Sequence, residues 1–126
     1  MTEAIPLTFD WSSGQLADGL RCYRAMEFWK AHEHWESVWL TLREPEKSFL
    51  QALIQVSAAF HHLQADNRRG AISLLGRALL RLDRCSPEFC RVNVVPLRDQ
   101  AREWHTALTS EAKLPASFPA FAITQT

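Results

Sequence analysis

The chain has 126 residues, 47% of them apolar and 22% charged. That composition supports one folded domain over the whole of 1–126 and excludes a disordered or fibrous chain. Fourteen basic residues balance fourteen acidic ones, so no bulk field draws in nucleic acid or an anionic membrane, and neither is expected as a partner.

The N-terminus lacks a basic segment leading into an apolar one, and no run of about 18 apolar residues exists, so neither export nor a membrane span is indicated. Cys22, Cys85 and Cys90 are an odd set without metal-type spacing. They read as reduced thiols of a cytoplasmic protein.

Residues 1–12 have no period and contain Pro6, which predicts an extended arm packing Phe9 and Trp11. Ser12 or Ser13 is placed to cap a first helix over about 14–25, with Leu16, Leu20 and Tyr23 at helical spacing. The apolar stripe changes phase near Arg24 to Phe28, which predicts a bend. A second helix then runs over about 28–42, and Pro45 marks the connection to a third.

The third helix, about 46–65, is apolar nearly all round, as suits the centre of a bundle. Gln51, Gln55 and His62 nevertheless fall on one line of it. Asn67 (or Asp66) is a suitable cap for a fourth helix over about 68–84. Its Gly70 and Gly76 would admit a neighbouring helix. Cys85 to Val95 is expected as a loop, and about 95–109 as a fifth helix built on Leu97, Ala101, Trp104 and Leu108. The tail, with two prolines and Phe118, Phe121 and Ile123, should be extended and partly packed. No segment has strand period. The expected class is all-α: a compact bundle of about five helices with an extended N-terminal arm and C-terminal tail.

The chemistry concentrates in W-K-A-H-E-H-W-E-S-V-W, residues 29–39. On a helix, Trp29, His32, Glu36 and Trp39 share a face, with Glu33 beside it. This face is expected to point inward. A buried carboxylate is costly unless it is paired or ligated, so the polar line of the third helix becomes its expected partner.

Three blocks carry a family resemblance: H-E-H-W-E-S-V-W (32–39), Q-A-L-I-Q-V-S-A-A-F-H-H (51–62) and N-R-R-G-A-I-S-L-L (67–75). With them the chain resembles the domain-of-unknown-function family 309 over about 16–84. The resemblance implies a compact helical fold and marks His32, Glu33, Glu36, Trp39, Gln51, Gln55, His62, Asn67 and Gly70. It implies no activity. The chain departs from the family pattern at Ala52, Ser57 and Asp66, where Gly, Ala and Gly are usual. A Gly at 66 suggests a left-handed linker, which Asp adopts less easily.

Three functional readings follow. In the leading one, His32, Glu33, Glu36, Gln51, Gln55, His62 and Asn67 form a buried hydrogen-bond network that sets helix register. The protein is then a structural or interaction module, expected to self-associate. In the second, His32, Glu36 and His62 hold a divalent metal, zinc or another first-row ion, with Glu33 as a second carboxylate ligand or as general base. The motif is H-E-x-x-E, however, and not the H-E-x-x-H of zinc proteases. In the third, a small ligand occupies a polar pocket walled by Trp29, Trp35 and Trp39. Arg68, Arg69, Arg77, Arg81, Arg84, Arg91 and Arg98 read as a solvated helix face rather than a nucleic-acid strip.

Overall fold

In the computed structural model, which describes residues 9–124, five helices follow one another in the expected order. They are α1 (Gly14–Arg24), α2 (Phe28–Trp39), α3 (Glu46–Gln64), α4 (Arg68–Leu82) and α5 (Val94–Ser110). The first eight residues of the expected arm lie outside the described residues, but Phe9 and Trp11 are buried as expected. One feature was not expected. The stretch read as a loop holds a two-stranded antiparallel hairpin, β1 (Glu88–Phe89) with β2 (Val92–Asn93). Two-residue strands are too short to show an alternating pattern, so nothing in their sequence separates them from a turn.

Each helix packs on the next: α1 on α2, α2 on α3, α3 on α4, and α4 on α5. α3 is central because residues 52–60 are buried without a break. An apolar helix of that kind is stable only when covered on several sides, at roughly 25 cal/mol for each Å² of apolar surface removed from water. α2 meets it with Phe28, Ala31 and Trp35, and α4 with Ala71, Leu75, Ala78 and Leu82.

The short links are local chain chemistry. Met26 (φ 63°) reverses the chain between α1 and α2, and Asp66 (φ 59°) does so between α3 and α4. Residue 66 thus takes the left-handed conformation that the family's glycine implies, although it is aspartate here. The Asn67 side chain then accepts a hydrogen bond from the Gly70 N–H at 3.0 Å and caps α4.

The glycines are used differently than expected. A side chain at Gly70 would press on the Asn67 cap rather than on a neighbouring helix, while Gly76 does face α5 through His105. The tightest approach is at Gly19 in α1, where a Cβ would come within 2.3 Å of the Trp35 indole nitrogen.

The tail closes the bundle. Phe121 is buried with its ring 4.3 Å from that of Tyr23, whose hydroxyl donates to the Pro119 carbonyl at 2.7 Å. The Trp104 indole donates to Ser117 O at 2.9 Å, and Val92 of the hairpin bridges to Ile123. The tail therefore links α1, α5 and the hairpin, elements that are far apart in the chain. Among the described residues, no helix is long and apolar enough to cross a membrane.

Candidate functional site

α2 is rotated relative to the expected arrangement. Its buried line is Phe28, Ala31 and Trp35, continued by half-buried Val38 and buried Leu42. Trp29, His32, Glu36 and Trp39 therefore lie at the margin of the α2–α3 seam. Trp29 remains 45% exposed, and the Glu36 side chain 54% exposed. The reason is additive burial. The line 28, 31, 35, 38, 42 is apolar throughout, so turning it inward gains apolar burial and leaves both carboxylates in water.

At this margin the aromatic rings form a short stack. The His32 ring lies 4.4 Å from Trp29 at an interplanar angle of 23°, and His61 of α3 approaches the same indole at 4.8 Å. His32 Nε2 lies 3.8 Å from a Glu36 carboxylate oxygen, within ion-pair range but beyond a hydrogen bond. Further along, the Lys47 ammonium sits 4.4 Å above the Trp39 ring.

Beneath these groups the expected network is incomplete. Among the described residues, His32 Nδ1, Trp39 Nε1 and Gln55 Oε1 are buried and have no hydrogen-bond partner. Each such group costs about 1–3 kcal/mol relative to a satisfied one. A half-satisfied set is a poor device for stability, and unpaired buried polar groups in a native fold call for another explanation.

The other marked residues are dispersed. His62 sits at the end of α3, where the Asn67 side-chain amide lies 3.0 Å from its Nδ1. It does not meet His32 or Glu36. Because α2 and α3 run antiparallel, with His61 against Trp29, His32 and His62 lie on opposite sides of that level, about 6 Å apart along the bundle at 1.5 Å per residue. Glu33 is exposed and Gln51 half-buried. Among the described residues, no three His, Cys, Asp or Glu side chains are grouped to hold a metal ion, so the trio His32, Glu36 and His62 is not assembled. Trp35 cannot wall a pocket with Trp29 and Trp39. It is fully buried and donates to Leu16 O at 3.2 Å.

Two contacts at the seam went unread in the sequence. Ser57, fully buried, donates to Phe28 O at 2.6 Å and pins the start of α2 to α3. His61 rather than His62 joins the aromatic stack. A lone hydroxyl within an apolar helix was a signal for Ser57; for His61 there was none, since neighbours on one helix differ only in direction.

The cysteines are free. Burial pushes the Cys85 thiol up, and it pushes Cys90 up to about 12 with Glu46 and Cys85 adding to the effect. Both are therefore protonated at neutral pH and poor nucleophiles.

The Arg residues do not make a continuous strip. The Arg68 guanidinium holds Leu108 O at the end of α5, Arg98 approaches Asp83 and Asp99, and Arg81 donates to Ser48 Oγ.

None of the curated proteins matches the chain. A family model does. Residues 16–74, from Leu16 in α1 to Leu74 in α4, match the model described as Domain of unknown function (DUF309). The match takes in the 32–39 motif, all of α3 and the Asn67 cap, and over this segment the chain is similar to that family.

Proposed function

We propose that the protein is an interaction module that self-associates through the outer face of α2, with Trp29 as its anchor. The observation that carries this reading is the state of that indole. It is large and nearly half exposed, yet held between two imidazole rings. A rigid exposed tryptophan loses little conformational freedom on binding, and tryptophan is among the commonest interface hot spots. Met26, 48% exposed in the preceding turn, extends the apolar surface. A second copy is favoured as occupant by the zero net charge, which leaves no long-range repulsion between copies. A two-fold contact would place the same patch on both sides. The three free thiols fit a reducing, cytoplasmic setting. Catalysis has less support, because Glu33, the candidate general base, is exposed rather than set in a cleft.

Sedimentation velocity tests the reading. The wild-type chain at about 100 μM should run as a dimer, corresponding to micromolar affinity, and Trp29→Ala should run as a folded monomer. A monomeric wild type, or a dimer untouched by Trp29→Ala, would sink the idea.

A second reading retains a divalent metal, because His32 Nε2 and Glu36 are already close enough to converge on one ion. Two protein ligands are half of a zinc site. Elemental analysis of tag-free protein settles it: near-stoichiometric zinc that His32→Ala abolishes supports the reading, and a chain that stays empty after zinc is added refutes it.

A further inference from the structure

Away from the α2 face, the first turn of α3 and the last turn of α4 enclose a cleft of about 380 Å³. That is within the range of sites for small molecules. Its apolar wall is half-buried Phe89, backed by the buried Phe49, whose ring it meets edge to face at 5.3 Å and 78°. The opposite side is cationic. Arg81, half-buried, donates to Ser48 Oγ at 3.2 Å, and Arg84 stands beside it. Among the described residues, the Arg84 guanidinium makes no hydrogen bond or ion pair.

One carboxylate, Glu44, also lines the cleft. It is already engaged, accepting the Ser48 N–H of α3 at 3.0 Å. Hydrogen bonding from the Ser48 side chain, and then from its N–H, helped by the charges of Arg81 and Lys47, holds it below the usual carboxylate range. The lining therefore carries two guanidinium groups against one occupied carboxylate.

We infer that this cleft binds a small organic anion with a flat apolar body, the anionic head on Arg81 and Arg84 and the ring against Phe89. A guanidinium fork presents paired donors to carboxylate or phosphate oxygens. An aromatic ring packs on the accessible part of Phe89, which the buried Phe49 holds in place edge to face. Carboxylate and phosphate heads share this chemistry, and the experiment separates them.

The test is an amide-resolved NMR titration of the full chain with phenyl phosphate, benzoate, inorganic phosphate and benzyl alcohol. Phenyl phosphate or benzoate should produce saturable shifts at Ser48, Phe49, Cys85 and Phe89, and the tighter of the two identifies the head group. Inorganic phosphate and benzyl alcohol, each offering half of the recognition, should bind at least about tenfold more weakly. Arg84→Met, at an exposed position, should weaken the better probe about tenfold without altering the rest of the spectrum. Arg81→Met should do the same and separates a binding role from a packing role, since its own spectrum reports whether the fold is kept. Absence of saturable shifts up to about 10 mM overturns the inference. So does binding unchanged in both variants, or inorganic phosphate binding as tightly as phenyl phosphate.

Discussion

At the scale of single residues, the motif separates into groups that hold the fold and groups that only border it. Glu36 is the clearest case. Its side chain is more than half exposed, and His32, its partner among the described residues, lies at 3.8 Å. Glu36→Ala should therefore change stability by no more than about 0.5 kcal/mol. Gln55 is the opposite case, 7% exposed with an unpaired carbonyl. Gln55→Leu keeps the volume and removes the unpaired group, so it should raise stability by about 1 kcal/mol. Urea unfolding of both variants checks the pair. A large loss in either would mean that the seam is a closed network after all. From the sequence, a carboxylate among tryptophans looked like a buried group in need of partners. Its exposure could not be read there, because the alternative apolar line depends on Ala31, a residue with little signal of its own.

At the scale of elements, the α3–α4 link is the part most fully legible beforehand. The place before an apolar-periodic run marks Asn67 or Asp66 as the cap, and Asn67 is the one that caps α4 while also reaching the His62 ring. Asn67→Ala removes both contacts at an exposed site and should cost about 1–2 kcal/mol. Asp66→Gly, restoring the residue usual in the family, should return about 1 kcal/mol by relieving a left-handed aspartate. Thermal unfolding of the two variants should move the melting temperature in opposite directions; movement in the same direction would contradict the linker geometry. The hairpin at 88–93 was not legible, since pairs of residues carry no period.

At the scale of the whole molecule, the single tyrosine of the chain reports on closure. Burial pushes the Tyr23 phenol far above its ordinary value, and its hydroxyl donates to Pro119 in the tail. The sign follows from linkage. A group whose folded pKa is raised contributes stability fully present below its unfolded pKa, and that stability is lost as pH climbs above it. Tyr23 should thus destabilise the chain from about pH 10 upward. The Cys85 and Cys90 thiols, also raised by burial, act in the same direction from about pH 8.5. Tyrosinate absorbance should appear together with loss of helical circular dichroism. Smooth titration near pH 10 in a chain that stays helical would show that the tail does not seal Tyr23.

The division between sequence and tertiary structure follows the range of the forces involved. Five helices, the bend before Phe28, the Asn67 cap and the packing of Phe121 were all readable, because they rest on spacing of three or four residues, on caps, or on plain apolarity. Rotation of α2, the meeting of Trp29 with His61, the burial of Trp35 over Gly19 and the gathering of Arg81, Arg84, Phe49 and Phe89 around one cleft were not. Each depends on which residues of another helix stand opposite. That register is fixed by the total burial over all facing pairs, a sum that only the assembled bundle evaluates.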